Sequence, residues 1–142
     1  MERPEPIDEE ILFDNGVIIS ETDVSGVITY ANRKFAQISG YTQEELVGQP
    51  HNLLRHPDMP KAAFKDMWDT IIAGEEWSGF VKNLRKDGRY YWVKTFIKPS
   101  FDKEGHIKGY IAARKIPKRD EVFTADSQYK IMLAAEKERN GQ

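Results

Sequence analysis

Asp87-Gly88 separates two runs of alternating side chains, Trp77 to Lys86 and Tyr90 to Phe101. Glycine takes the left-handed backbone that a tight connection needs, so this pair between two such runs is a strong hairpin signal. The length of the turn decides which side chains share a face, because a slip of one residue exchanges the faces. A two-residue turn at Asp87-Gly88 pairs Asn83 with Trp92 and puts Lys94 on the same face as Val81. A three-residue loop with Gly88 left-handed pairs Asn83 with Val93 instead. It groups Trp77, Gly79, Val81 and Asn83 with Tyr91, Val93, Thr95 and Ile97. Only this second register keeps every strand lysine off the covered face, where an unpaired charge is costly, and we adopt it. Asn83 then points inward among apolar neighbours and needs partners, whether water, backbone or a ligand edge. The outer face shows Phe80, Leu84, Trp92 and Phe96 among lysines. A patch of that kind is normally covered: by the N-terminal segment, a second copy of the chain, or another module.

The other elements fall around this hairpin. Val17 to Thr22 and Gly26 to Tyr30 read as two short strands. Asn32 is a good N-cap for a short helix that Gly40 closes, and Thr42 with Glu45 forms a capping box for another. Pro60 marks the start of a longer helix, capped by Asp58 or Met59, with Ala63, Phe64, Met67, Trp68, Ile71 and Ile72 at helical spacing. His106 to Ile116 is a last strand and Thr124 to Glu138 an exit helix. Two strands, a helical block and three long strands predict an α+β domain: one five-stranded antiparallel sheet with short helices on one face. Residues 1–15 form an N-terminal cap, 16–117 the domain, and 118–142 the exit helix or linker.

Composition mainly excludes. The chain of 142 residues carries a formal charge of −2 with both signs interspersed, which offers nucleic acid no basic face. It contains no cysteine, so disulfides, thiolate metal sites and cysteinyl adducts are absent. No apolar run is long enough to span a bilayer. We therefore expect a cytoplasmic segment without membrane contact of its own, whatever anchors its parent. His51 and His56 are wrongly spaced for one helical face of metal ligands. No nucleophile, paired-carboxylate or phosphate-loop pattern points to an enzyme.

Gln49 to Pro60 is the most informative stretch. Prolines hold it as constrained loop, and it sets Arg55, His56 and Asp58 close together before a helix N-terminus. Two readings stand level: Arg55 grips a phosphate or carboxylate in forked geometry, or it pairs internally with Asp58.

The run Gly26 to Asn32, then Phe35 and Ser39-Gly40-Tyr41, resembles the opening of PAS domains. Gly48 to Trp68, reading GQPHNLLRHPDMPKAAFKDMW, is more specific. With Glu76 to Gly79, Val81-Lys82-Asn83, Tyr91-Trp92-Val93 and Gly109-Tyr110, it resembles the flavin-binding PAS domains of bacterial aerotaxis receptors. That resemblance implies non-covalent FAD as cofactor and redox sensing in place of catalysis. It also implies a chemotaxis signalling domain or receptor as partner, in the same or a separate chain. Residue by residue, it carries Arg55, His56 and Asp58 to the cofactor site, with Asn32, Trp68, Trp77 and Asn83 lining or supporting it. Arg114, inward by alternation, is a further candidate near the flavin ring. A homodimer through the outer sheet face or the N-terminal cap is a second expected contact. The alternatives are a PAS module for a small carboxylate and a ligand-free dimerisation module.

Overall fold

The computed structural model describes residues 2–139. In it β3 (Trp77–Leu84) and β4 (Tyr90–Phe101) run antiparallel on either side of the Gly88 turn. Gly88 lies at φ 93°, and a Cβ there would collide with the Glu5 carbonyl, so both backbone and space require glycine. The Arg85 N–H donates to the Arg89 carbonyl at 2.8 Å, leaving the three residues Lys86 to Gly88 between them. That closure pairs Asn83 with Tyr91, two positions from the expected Val93. An offset of two leaves the faces unchanged, because side chains alternate with period two. Val81, Asn83, Tyr91, Val93 and Thr95 are accordingly all buried on the inner face.

β1 (Ile18–Thr22), β2 (Ile28–Ala31) and β5 (Ile107–Lys115) complete an antiparallel sheet of order β2-β1-β5-β4-β3. Between β2 and β3 come α1 (Arg33–Ser39), α2 (Gln43–Leu46), a 3-10 turn at His51–Leu54, and α3 (Lys61–Ile72). The caps of α1 and α2 are those the sequence signals. Asn32 Oδ1 accepts from the Phe35 N–H at 3.0 Å, and the Thr42–Glu45 box closes in both directions at 3.0 and 2.9 Å.

Pro60 itself holds the cap position of α3, with extended backbone, so neither Asp58 nor Met59 caps that helix. The freed N–H groups of Lys61 and Ala62 donate to the two carboxylate oxygens of Glu136, each at 2.9 Å.

Glu136 belongs to α4 (Arg119–Arg139), which starts five residues before the expected Thr124. The Lys118 N–H donates to Glu121 at 2.9 Å, half of a capping box, and this fixes the earlier start. α4 lies on the outer face, opposite the short helices. Val122 and Ala125 pack on Trp92, the Tyr129 ring stacks over Trp92 at 6.2 Å, and its hydroxyl donates to the Phe80 carbonyl at 2.7 Å. The N-terminal segment runs extended beside β4 beyond the end of β5. The Tyr90 N–H donates to Glu9, and the Ile11 N–H to Tyr90, at 3.0 and 2.7 Å. Trp92 is thus covered by α4, and Leu84 is buried too, while Phe96 remains 39% exposed.

Candidate functional site

α3 places Phe64, Met67, Trp68 and Ile71 on one stripe by i, i+3, i+4, i+7 spacing. Ile72, expected on that stripe, is 61% exposed. The stripe does not close onto the sheet. A cavity of about 340 Å³ lies between it, the inner strand residues Ser20, Asn83, Thr95 and Arg114, and the Pro50–Arg55 segment. This is near the lower end of the range for small-molecule sites. At one side Trp68 meets Tyr110 edge-on at 5.7 Å, and Gly26, at φ 92°, lies against the Trp68 ring.

The electrostatics of the walls are one-sided. Arg114 reaches inward from β5 and is 4% exposed. Its guanidinium donates to Ser20 Oγ at 3.0 Å and lies 2.7 Å from His51 Nε2. Burial lowers the Arg114 pKa to about 10, so it stays charged at neutral pH. Burial first, and then Arg114, push His51 down to about 3. A neutral His51 accepts through Nε2 and carries its proton on Nδ1. Phe35 stacks on the His51 ring at 5.8 Å and sits 5.3 Å from the Arg114 guanidinium carbon.

Arg55 supplies the second cation. Its guanidinium lies over the Phe64 ring at 3.7 Å, and its Nε is buried without a partner. Burial also lowers its pKa. The Thr95 Oγ1 and Tyr91 hydroxyls are likewise buried and unpartnered. Tyr91, pushed up to about 12 by burial, is a neutral donor. Among the described residues no aspartate or glutamate lines the cavity. Buried polar atoms without partners each cost roughly 1–3 kcal/mol. An aromatic stripe facing two cations and the orphaned Thr95 hydroxyl suits a flat ligand with a polar, electron-rich edge.

Of the expected residues, Arg55, Trp68, Asn83 and Arg114 line this cavity. The other four lie elsewhere. Asn32 commits its side chain to the Phe35 N–H and, at 2.9 Å, the Val17 carbonyl. Trp77 packs over Gly79 in a groove between α3 and α4, its Nε1 donating to Asp66 at 2.9 Å. His56 and Asp58 border an outer groove between the N-terminal segment and α4. Asp58 pairs with Lys82 Nζ at 2.9 Å, so the internal Arg55–Asp58 pair does not form. The α3 N-terminus, whose free N–H groups favour an anion, is occupied by Glu136. Sequence reasoning passed over His51, weighing it only as a metal ligand. The signal was Arg114 itself, since an inward arginine requires a buried acceptor opposite it. Among the described residues no cluster of three or more His, Asp or Glu is placed to hold a metal. Nor is any described helix long and apolar enough to cross a membrane.

Three kinds of relative bear on this site. The family described as the PAS fold matches residues 28–114. The aerotaxis receptor of Escherichia coli is 50% identical over 123 residues, which cover 87% of this chain and 24% of that protein. The nitrogen fixation regulatory protein of Klebsiella pneumoniae is 33% identical over 99 residues, covering 70% of this chain and 20% of that one. The chain therefore spans about a quarter or less of the length of these relatives. Among solved structures, the dark state of the blue-light photoreceptor Aureochrome1 LOV superposes with a TM-score of 0.70 at 24% identity, covering 80% of this chain and 85% of that one. At that identity the likeness speaks for the fold. With the matched family, the sheet order and the helices over one inner cavity in agreement, this chain belongs to the PAS family.

Proposed function

We propose that the inner cavity holds FAD non-covalently and that the domain reports the redox state of this flavin to a chemotaxis-type signalling module. The observation that carries the reading is the pair of inward guanidinium groups, Arg55 and Arg114, in a wall without a carboxylate. Half identity to an aerotaxis receptor across most of the chain supports it. The residues fit such a group: an aromatic and aliphatic stripe for the flat ring, orphaned Thr95 Oγ1 and Arg55 Nε for its polar atoms, and Asn83 on the floor.

The cofactor, when bound, supplies a redox change that alters the charge and hydrogen bonding of its edge. Arg114 offers a fixed positive charge toward negative charge in the cavity. His51 holds that guanidinium in place and takes up no proton near neutral pH. Asn83 can donate or accept as its side chain turns. A change in what these groups contact is felt in β3, β4 and β5, and the outer side of β3 and β4 carries α4 and the N-terminal segment. The sheet is thereby biased between two arrangements that a partner reads.

An absorbance spectrum of the freshly purified protein, with extraction of its chromophore, tests the reading. Flavin bands and released FAD are expected. Absence of flavin and failure to take up FAD on reconstitution would sink it. Thermal shifts with small carboxylates in a chromophore-free protein would favour the carboxylate module instead.

A further inference from the structure

Asp58 and His56 lie on the far side of β3 from the cavity that Arg55 enters. The sheet order explains how one loop serves both sides. β3 is an edge strand, and the free backbone of its Lys82–Asn83 segment is taken up by the loop before α3. Arg55 bridges Asn83 in antiparallel fashion, and the His56 N–H donates to the Lys82 carbonyl at 3.3 Å. The Lys82 N–H points at the Met59 sulfur at 3.4 Å. Lys82 then turns outward, where its ammonium meets Asp58 at 2.9 Å. His56 Nδ1 accepts from the Asp58 N–H at 3.0 Å, which sets the turn between them.

We propose that Asp58 and Lys82 are positioning residues: their ion pair pins the loop to the β3 edge and so holds the Arg55 guanidinium in the cavity beside Asn83. Neither side chain lines the cavity. Asp58 acts on a ligand only through Arg55, and Lys82, which is not among the expected site residues, matters as much as Asp58. The Arg3 guanidinium donates to the Arg55 carbonyl from the other side, so the N-terminal segment bears on the same residue. The inference rests on the flavin reading for its ligand, and its backbone part stands apart from it.

The test is a set of variants of the whole chain, Asp58→Asn, Lys82→Met, both together, and each beside Arg55→Met, titrated with FAD. Either single substitution is expected to weaken FAD by about tenfold, and the pair together by no more than either alone. Beside Arg55→Met, neither should cost anything further. Wild-type affinity in Lys82→Met, additive losses in the pair, or an undiminished Asp58→Asn loss beside Arg55→Met would each overturn the proposal. Hydrogen exchange of the flavin-free protein gives a second readout: the His56 amide should exchange about tenfold faster in both single variants. Unchanged exchange there overturns the pinning even if the wild-type protein binds no FAD, whereas absent wild-type binding alone overturns the flavin reading.

Discussion

The two faces of the sheet treat charge in opposite ways. On the outer side cations stand against carboxylates: Lys82 with Asp58 at 2.9 Å, Arg119 with Glu10 at 2.8 Å, Lys130 with Asp126 at 3.0 Å, Lys94 with Glu121 at 3.5 Å. On the inner side Arg114 faces only Ser20 and a neutral His51, and Arg55 lies on Phe64 with its Nε unmet. The exposed pairs contribute little to stability each. Arg119–Glu10 and Lys94–Glu121 fix where α4 and the N-terminal segment lie, while Lys82, itself buried, fixes the loop before α3 through Asp58. A buried cation without a counter-ion weakens the empty fold and is compensated only when something anionic arrives. The outer face is a second small core that holds α4 and the N-terminal segment, whereas the inner face leaves its cations without counter-ions.

The sharpest way to break this division is Trp92→Ala. Trp92 is 5% exposed beneath Tyr129 and Val122, on the face away from the cavity. Its truncation should cost about 3–5 kcal/mol in urea unfolding, as large aromatic deletions do. The ligand affinity of the folded fraction should stay within twofold. A loss of affinity matching the loss of stability would show that the two faces are not separable.

Arg114→Met is the converse. A hydrogen bond to a charged group contributes roughly 1.5–3 kcal/mol, so FAD affinity should fall by about 10–150-fold. The flavin-free protein should melt at the same temperature or higher, because an uncompensated buried charge has gone. Calorimetry of the flavin-free protein beside a binding titration separates these outcomes. A clear drop in melting temperature would mean that Arg114 is a structural cation after all.

A pH series sharpens the comparison further. His51 is held near 3 inside the fold and takes its proton near 6.5 when unfolded, so the unfolded state binds more protons between those values. Its contribution is fully present above pH 6.5 and is lost as the pH falls toward 3. Between pH 7 and pH 5 that amounts to about 2 kcal/mol. His56, pushed to about 4 by burial and then Lys82, adds in the same direction, and Asp58 opposes the shift. Urea melts of wild type and His51→Gln at both pH values check the assignment: the variant should lose less stability on acidification.

Much of this division is legible in the sequence, and what is not shares a physical cause. Gly88 and the strand lysines identify the inner face, and with it Asn83 and Arg114, because alternation is a local rule. The α3 stripe is legible too, although its spacing is the same for a filled core and for a cavity wall. The register differs by two residues from the expected one, since only the hydrogen bond between Arg85 and Arg89 fixes it. His56 and Asp58 carry no local signal for their side of the sheet, and Trp77, whose inward face alternation does give, carries none for lying outside the cavity. Each is placed by a distant residue: Lys82 for the first two, Asp66 for the third. Glu136 at the α3 N-terminus is the extreme case, about 75 residues from its partners, and periodicity cannot report a contact of that span.

Glu136 also joins the two faces, which makes it the finest probe of their separation. Its carboxylate caps the helix whose stripe walls the cavity, while its own helix packs on the outer core. Glu136→Gln keeps one acceptor oxygen and removes the charge, so it should cost about 0.5–1 kcal/mol, the size of a charge at a helix N-terminus. The loss should appear as faster hydrogen exchange at Lys61 and Ala62, the amides left without a paired acceptor, with the Trp92 region unchanged. If instead all of α4 exchanges faster in step with α3, the carboxylate is what docks the exit helix, and the inner and outer faces communicate through this contact.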